Sequence, residues 1–299
     1  MKVLYTREQL QQWRDDVEAS GSPTAAVMTM GALHAGHGEL VRVAKEQLPD
    51  DGELIVTIFV NPLQFGANED LDKYPRTVES DLALVESLGA TAAFVPTEDV
   101  MYPNGRPATI VDPGPLGKLL EGQARPEHFA GVLTVVAKFL NLLGVDAAYF
   151  GEKDYQQLTL IKQMVNDLDL PVRIEPVPTV RDPDGLAMSS RKRYLSAAAR
   201  QRALAIPAAI QAGRQAAATG ANAQEIEHVA MACLEAVPDD SEVAAIPVDI
   251  QYVVVRGTDL GEPPKRGEAR LILTVVVDGT RLLDNARVDL SAAAGKEPG

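Results

Sequence analysis

The chain has 299 residues, and at roughly 100–200 residues per domain this length predicts two domains. Hydrophobic residues make up 46% of the chain and charged residues 23%, which is typical of a globular protein and argues against intrinsic disorder. The 42 acidic residues outnumber the 28 basic residues and give a net charge of −14. Because nucleic acids and anionic membranes both bind a basic face, this balance argues against a general nucleic-acid or membrane-binding protein.

Cysteine and histidine usage narrows the chemistry further. Cys233 is the only cysteine, which excludes a disulfide within the chain, and four histidines leave little material for a structural zinc site. Residues 1–16 lack the apolar core of a signal peptide, and no apolar run reaches the roughly 20 residues that span a bilayer. We therefore predict a cytoplasmic protein with no membrane or nucleic-acid partner.

Strand-like and helix-like runs alternate through the first half of the chain. Short apolar or β-branched runs predict strands over residues 25–30, 54–60, 92–95, 147–150 and 172–180. Helical spacing predicts helices over residues 38–47, 76–88, 129–143 and 155–168. This βαβα rhythm predicts an α/β fold, a Rossmann-like doubly wound parallel sheet over residues 1–180, with ligand-binding loops at the carboxyl ends of the strands.

The pattern changes after the turn signal at residues 181–185, RDPDG. Helical runs follow over residues 196–219 and 223–236, and strand-like runs over residues 249–255, 271–277 and 281–284. Asp278-Gly279 predicts a type I′ hairpin turn between the last two strands. The order of these elements predicts a smaller α+β domain over residues 181–299.

The segment 30–38, MGALHAGHG, follows a predicted strand and opens a helix. Its glycines permit close approach of the backbone to a ligand, and a helix N-terminus offers N–H groups to an anion. His34 and His37 can donate to phosphate oxygens and stabilise charge as an α-phosphate is attacked. Two other interpretations stay open: a metal-binding pair, for which a third ligand is not assigned, and two surface histidines.

A second polar segment, residues 59–65, lies at the end of a strand buried on both faces. The amides of Asn61 and Gln64 can both donate and accept hydrogen bonds, which suits a polar, hydroxylated substrate. Because Asn-Pro is also a turn signal, an ordinary capped loop is the alternative.

The third segment, residues 150–157, again runs from a strand into a helix. Lys153 would face phosphates as a point charge, and Gln157 lies one turn into the helix, where it could reach the same cleft. Asp154 is also well placed to cap that helix.

The fourth segment, residues 188–193, reads MSSRKR and places three cations after two hydroxyls. In an acidic protein this indicates a clamp on a polyphosphate, and the turn at Gly185 favours a mobile lid. The alternative is a solvated helix start with a serine cap. Asp81 lies alone on a predicted helix, where an acid usually faces solvent.

Taken together, these segments resemble the pantothenate synthetase (pantoate–β-alanine ligase) family. The resemblance rests on the segments MGALHAGH, IFVNPLQF, YPRT, RPEHFAGVLTVV, FGEKDYQQL, RDPDGLAMSSR and RLLDN. The HxGH pattern with a downstream basic serine loop is shared by a wider superfamily, whereas NPLQF and FGEKDYQQL are specific to this ligase. Lys192 departs from the family, which usually has Asn there, and adds a cation beside the basic loop.

The resemblance implies ATP-dependent ligation of pantoate and β-alanine through a pantoyl adenylate, with Mg²⁺ as the partner of ATP and a homodimer as the assembly. It implies an ATP- and pantoate-binding domain over residues 1–180 and a lid domain over residues 181–299. The implied catalytic residues are His37, the counterpart of the family's proton donor, together with His34 and Lys153.

The resemblance also assigns binding residues. The implied ATP-binding residues are Met30, Gly31, Ala32, Leu33, His34, Ala35, Gly36, His37, Gly151, Glu152, Lys153, Asp154, Val180, Met188, Ser189, Ser190 and Arg191. Gln64 and Gln157 correspond to pantoate-binding residues, and Gln64 also to a β-alanine contact. Asn61 and Tyr74 are expected to line the cleft, and Asp81 corresponds to a magnesium-linked acid.

Two other function classes remain as alternatives at this point. Another nucleotidylyltransferase of the HxGH superfamily, acting on a different small acid or phosphate ester, would share the histidines and the basic loop but would not explain Gln64 and Gln157. A non-catalytic nucleotide-binding protein is disfavoured by the intact set of His34, His37, Lys153 and Arg191.

Overall fold

The computed structural model describes residues 1–66, 71 and 74–291. This part of the chain divides into two compact units. The first contains Met1–Glu152 and Gln156–Pro178, and the second contains Lys153–Tyr155 and the chain from Thr179 onward. The boundary between the two units therefore lies close to residue 180. Lys153–Tyr155 are the exception, because they precede this boundary in the chain and belong to the second unit.

Six parallel strands form the sheet of the first unit within the described residues. They are β1 (Lys2–Leu4), β2 (Thr24–Thr29), β3 (Glu53–Ile58), β4 (Ala92–Phe94), β5 (Ala147–Gly151) and β6 (Arg173–Val177). Their spatial order is β1-β4-β3-β2-β5-β6. From β2 the chain adds β3 and β4 on one side, and it then adds β5 and β6 on the other side of β2. The predicted doubly wound parallel sheet is confirmed.

Helices cover both faces of this sheet. They are α1 (Arg7–Ser20), α2 (Ala35–Gln47), α3 (Val78–Ser87), α4 (Glu98–Met101), α5 (Glu121–Ala124), α6 (His128–Leu143) and α7 (Tyr155–Asp167). Strand β3 is buried on both faces, which explains why its sequence is a continuous apolar run. Ile55 packs into the core that includes α1 and α6, whereas Leu54 and Val56 pack on the opposite face with α2.

The order of the strands marks where a ligand is expected to bind. In doubly wound sheets ligands bind at the carboxyl ends of the strands, at the point where the strand order reverses. Here that point lies between β2 and β5, which are neighbours in the sheet. The segments after these two strands are the one with His34 and His37 and the one that begins with Glu152.

The second unit packs helices against an antiparallel sheet. Its elements are α8 (Ala197–Ala203), α9 (Ala205–Ala218), α10 (Ala223–Glu235), α11 (Ser241–Ala244), β7 (Val248–Gly257), β8 (Gly267–Val277) and β9 (Thr280–Leu290). The strand order is β7-β8-β9. Asp278 and Gly279, between β8 and β9, have φ angles of 48° and 74°, as a type I′ turn requires. The predicted α+β unit with a final hairpin is confirmed.

Several predicted boundaries are wrong, three of them near proline or buried polar residues. The helix expected over residues 196–219 is interrupted at Leu204, because Pro207 has no N–H to continue the hydrogen bonds of α8. The strand expected to reach residue 180 ends at Val177, just before Pro178. The last strand continues beyond residue 284 to Leu290, with Asp284 and Asn285 buried inside it.

Within the described residues, none of the helices combines the length and the apolar composition that a membrane crossing needs.

Candidate active site

Residues 30–37, which comprise the loop after β2 and the first three residues of α2, are here called the histidine loop. His34 is the N-cap of α2, and its Nδ1 atom accepts the backbone N–H of Gly36 at 3.1 Å. The backbone N–H of His34 donates in turn to Nδ1 of His37 at 3.4 Å. The helix therefore begins three residues earlier than the sequence predicts, and some of its first N–H groups already bond to the histidine rings.

The two histidine rings lie side by side. Their centroids are 4.1 Å apart and their planes are tilted by 32°. Because each Nδ1 accepts a backbone N–H, these bonds assign the neutral tautomer with the proton on Nε2 in both rings. The pair thus provides two ring N–H donors at a helix N-terminus, a combination that favours an anionic ligand.

The histidine loop is itself in an unusual conformation. Gly31 has a φ angle of 80° and Ala32 a φ angle of 50°. A non-glycine residue in the left-handed region costs on the order of 1 kcal/mol, so a neighbouring group has to hold it there. Asp81 of α3 accepts the N–H groups of Ala32 and Leu33, each at 2.9 Å, and provides that support.

Gln64 lies at the end of the 3₁₀ helix Pro62–Gln64, just after β3, and is buried. Its Nε2 donates to Sδ of Met30 at 2.8 Å, and its Oε1 accepts from Nδ2 of Asn61 at 3.2 Å. Its backbone carbonyl contacts Nδ1 of His128 at 3.0 Å and accepts from Arg125 at 3.4 Å. The structure therefore brings together Gln64 and Met30, two of the predicted binding residues.

Asn61 supports Gln64 from below. It is 1% exposed, and its Nδ2 donates to Oε1 of Gln64 and to the Gly131 carbonyl. Its Oδ1 accepts from the N–H of Leu63 at 3.3 Å and from the Tyr102 hydroxyl at 2.7 Å. All four hydrogen-bonding positions of the amide are used, which gives Asn61 a supporting role behind Gln64.

Helix α6 comes unusually close to this loop. A Cβ atom added to Gly131 would lie 2.2 Å from the Leu63 carbonyl oxygen, so only glycine fits there. Tyr74 and Gln157 are two further predicted residues. Tyr74 stacks edge-to-face on Phe65 at 5.9 Å, and Gln157 is half-buried on the first turn of α7.

In the second unit, Lys153 lines a small cavity with residues of the segment 188–193, here called the basic loop. The cavity lining includes Ser189, Arg191 and Lys192. The Lys153 side chain is 20% exposed, and its Nζ lies 3.2 Å from a carboxylate oxygen of Asp154. The structure therefore brings Lys153 together with the predicted phosphate clamp, within one unit of the protein.

Strand β9 holds this arrangement through two neighbouring polar residues. Asn285 donates from Nδ2 to the Lys153 carbonyl at 2.9 Å. Asp284, which is 1% exposed, binds the Arg181 guanidinium through both oxygens, at 2.6 and 2.8 Å. The RLLDN segment thus ties both the Lys153 segment and the turn before the basic loop to the sheet of the second unit.

The basic loop forms the short 3₁₀ helix Ser190–Tyr194. Ser189 caps it by accepting the N–H of Arg191 at 3.2 Å, so the predicted serine cap is present. Arg191 is exposed, whereas the Lys192 side chain is only 9% exposed and donates to Asp182 at 2.5 Å. Lys192, the departure from the family, is therefore half of an ion pair.

Asp182 is shared by two cations. Arg200 of α8 binds the same oxygen of Asp182 at 2.6 Å and also binds Asp184 at 2.6 Å. Burial by itself would raise the pKa of Asp182, but the hydrogen bonds from Lys192 and Arg200 outweigh it and hold that pKa below its usual value. Close by, the carbonyl of Val180, the predicted adenine contact, accepts the N–H of Met188 at 2.9 Å.

Comparison with known proteins identifies the family of this chain. The family model described as Pantoate-beta-alanine ligase matches residues 2–287. The chain belongs to this family. It is 52% identical to the pantothenate synthetase of Nocardia farcinica over 93% of this chain and 83% of that protein. It is 47% identical to the pantothenate synthetase of Salinispora arenicola over 97% of this chain and 98% of that protein.

Solved structures of the ligase family share the fold. The pantothenate synthetase of Thermus thermophilus aligns with a TM-score of 0.85 and 39% identity, over 96% of this chain and 99% of that one. The pantoate-beta-alanine ligase of Francisella tularensis, complexed with beta-gamma ATP and beta-alanine, aligns with a TM-score of 0.76 and 31% identity, over 96% and 97% of the two chains.

Some residues that support the ligase site were not singled out from the sequence. Gly131 carried a usable signal, because glycine in a helix interior costs about 1 kcal/mol and so points to close packing. Asp284 and Asn285 lie in a segment that resembles the family, but their partners are more than a hundred residues away. Tyr102 carried no signal, since a tyrosine beside a buried amide has no local pattern.

Proposed function

We propose that this chain ligates pantoate to β-alanine in two steps, through a pantoyl adenylate. In the first step a carboxylate oxygen of pantoate attacks the α-phosphorus of ATP, and pyrophosphate leaves. In the second step the β-alanine amine attacks the acyl carbon, the amide bond forms, and AMP leaves. The match of residues 2–287 to the ligase family carries this proposal.

The histidine loop supplies electrostatic stabilisation in the first step. The N–H groups at Nε2 of His34 and His37 belong to rings 4.1 Å apart, close enough to serve one phosphate group. Negative charge grows on the phosphate oxygens as the carboxylate attacks, and fixed N–H donors lower the free energy of that transition state. We assign the larger part of this stabilisation to His37 and a supporting part to His34.

Gln64 and Gln157 are proposed to hold pantoate, and Gln64 also contacts β-alanine. The amide of Gln64 donates to a thioether sulfur, which is a weak acceptor. A pantoate oxygen that takes this donor replaces a weak hydrogen bond with a stronger one. Because Asn61 and the groups on the Gln64 backbone keep the side chain in place, little ordering is needed when substrate binds.

The second unit supplies cations for the phosphates of ATP. Lys153 and Arg191 line one cavity together with Ser189, and we assign all three to the phosphate chain that leaves as pyrophosphate. Val180 is assigned to adenine through its backbone. ATP is expected as its magnesium complex, and the described residues contain no group of three side chains suited to hold a metal ion.

Exchange of labelled pyrophosphate into ATP tests the proposal. We expect exchange that depends on pantoate and Mg²⁺ and needs no β-alanine, because adenylation is reversible before the amine arrives. Addition of β-alanine should then release AMP and pantothenate in equal amounts. If neither exchange nor AMP occurs with pantoate, the proposal fails, and exchange with a different acid would favour the wider nucleotidylyltransferase class.

We also infer a cytoplasmic homodimer. The resemblance to the family supports the dimer, and the single cysteine supports a reducing compartment. Light scattering on the purified protein should give twice the mass of one chain, and a monomer at micromolar concentration would contradict this inference.

A further inference from the structure

Asp81 is a buried carboxylate whose hydrogen bonds all point to one task. It lies on α3 and is 2% exposed. Its Oδ2 accepts the N–H of Ala32 and its Oδ1 the N–H of Leu33, each at 2.9 Å. The Thr77 hydroxyl lies 3.2 and 3.1 Å from Oδ1 and Oδ2. Three donors therefore surround both oxygens of the carboxylate.

The backbone that Asp81 holds is the strained part of the histidine loop. Ala32 has a φ angle of 50°, and a Cβ atom added to the preceding Gly31 would lie 3.0 Å from Oδ2 of Asp81. The carboxylate thus packs directly against the loop backbone. Each oxygen of Asp81 takes one of two successive N–H groups, so this arrangement uses both acceptor atoms of the carboxylate.

The next residues along the chain are the two histidines. The N–H of His34 follows that of Leu33 and donates to Nδ1 of His37, and Nδ1 of His34 accepts the N–H of Gly36. The orientation of both rings therefore depends on the backbone that Asp81 fixes. A shift of the backbone at Leu33 would move the donor that selects the tautomer of His37.

A magnesium role for Asp81 does not fit this arrangement. A metal ion would have to share this buried carboxylate with two backbone N–H groups and the Thr77 hydroxyl, which together take most of its accepting capacity. In addition, none of the residues that the structure describes joins Asp81 in a set of three metal-ligating side chains. These contacts favour a structural role for Asp81 over the expected magnesium link.

We propose that Asp81 is a positioning residue of the ligase: its carboxylate fixes the backbone of Ala32 and Leu33 and thereby aims His34 and His37 at the reacting phosphate. The reaction part of this proposal rests on the proposed function. The loop-fixing part does not, because it concerns hydrogen bonds of the protein without substrates.

The first test is amide hydrogen exchange on the full chain without ligands. Asp81→Asn keeps the size of the side chain but leaves one acceptor atom, so an amide nitrogen must face a backbone N–H. We expect exchange at Ala32 and Leu33 to accelerate by about 10-fold or more. Glu79→Gln, which removes an exposed acid from the same helix, should leave both amides at the wild-type rate.

Variants at Thr77 provide a milder version of the same test. Thr77→Val removes the hydroxyl donor and should accelerate exchange at Ala32 and Leu33 in the same direction but less. Thr77→Ser retains the hydroxyl and should restore the wild-type rate. If Asp81→Asn lowers protection throughout the protein, the Thr77 pair still decides the matter. Equal exchange in wild type and both valine and asparagine variants overturns the proposal.

The second test separates positioning from metal binding. Pantoate-dependent pyrophosphate exchange is measured at saturating ATP over a range of Mg²⁺ concentrations. For Asp81→Asn we expect kcat to fall about 10- to 100-fold, while the KM for pantoate and the Mg²⁺ concentration for half-maximal rate stay within about 2-fold of wild type. A raised Mg²⁺ requirement with kcat restored at high Mg²⁺ overturns the proposal.

The two tests fail independently of the proposed function. If wild-type protein shows neither pyrophosphate exchange nor AMP formation, the ligase assignment is wrong, and the amide-exchange result still decides whether Asp81 fixes the histidine loop. If wild type is active and Asp81→Asn shows normal kcat, the positioning role is wrong and the ligase assignment stands.

Discussion

The histidine loop and the basic loop are held by opposite means. In the histidine loop a buried carboxylate accepts backbone N–H groups, and the rings accept others. In the basic loop, Lys192 pairs with Asp182, and that pair is extended by Arg200, whose side chain is 38% exposed. Buried hydrogen bonds are little affected by salt, whereas the attraction of the partly exposed Arg200 is partly screened by it.

The difference teaches where this protein needs fixed geometry. Donors that stabilise a transition state work best when they are already in place, so a rigid support suits His34 and His37. A loop that carries cations for a polyphosphate tolerates adjustment, because charge attraction falls off gradually with distance. The predictions below test this contrast, beginning with the largest expected effect.

Removal of His37 should have the largest effect on turnover. For His37→Ala we expect a fall of about 10²-fold or more in kcat, because one fixed N–H donor near the phosphate is lost. Unfolding midpoints should stay close to wild type. His228→Ala is the matched control, since His228 is exposed on α10. Near wild-type turnover in His37→Ala would refute the catalytic role.

Loss of the Tyr102 hydroxyl should weaken the support of Gln64. Burial raises the pKa of Tyr102 well above its ordinary value, so the hydroxyl stays a donor to Asn61 at working pH. Tyr102→Phe should cost about 1–2 kcal/mol in unfolding free energy and raise the KM for pantoate several-fold. Tyr5→Phe, at an exposed position, should change neither quantity. An unchanged KM for pantoate would show that Gln64 needs no such support.

Replacement of Lys192 by Asn should act mainly on stability. Lys192→Asn is expected to lower the unfolding free energy by about 1 kcal/mol, because the mostly buried Asp182 loses one of its two cations and keeps Arg200. Arg193→Asn removes a positive charge at the adjacent residue, whose exposed guanidinium contacts a backbone carbonyl. This variant should lose less unfolding free energy than Lys192→Asn. Equal losses in the two variants would show that the pairing of Lys192 with Asp182 adds nothing to stability.

The smallest effect should appear on acidification. The pKa of Asp182 is lowered in the folded protein. Its ion pairs therefore contribute their full stabilisation above the ordinary aspartate pKa of about 3.9. This contribution is lost as the pH falls through the lower pKa of the folded protein. Between about pH 7 and pH 3, wild type should lose up to about 1 kcal/mol more unfolding free energy than Asp182→Asn. Urea unfolding at both pH values measures this, and parallel losses would show that Asp182 carries no such linkage.

Local patterns predicted most of the fold and the position of the candidate site. A few residues are enough to predict the buried strand β3, the Asp278-Gly279 turn and the end of α6 at its glycine. Backbone conformation and burial at these places depend on short spacings along the chain. The histidine pair could be placed for the same reason, since it follows a strand and begins a helix.

The amino-acid sequence by itself determined the α/β order of the elements, the loops that carry chemistry and the family. Only the tertiary structure decided what holds those loops. Asp81 acts on a backbone 49 residues earlier, and Asp284 on a guanidinium 103 residues earlier. Such partners are chosen by how helices and strands pack, and packing at this distance leaves no period or spacing in the sequence.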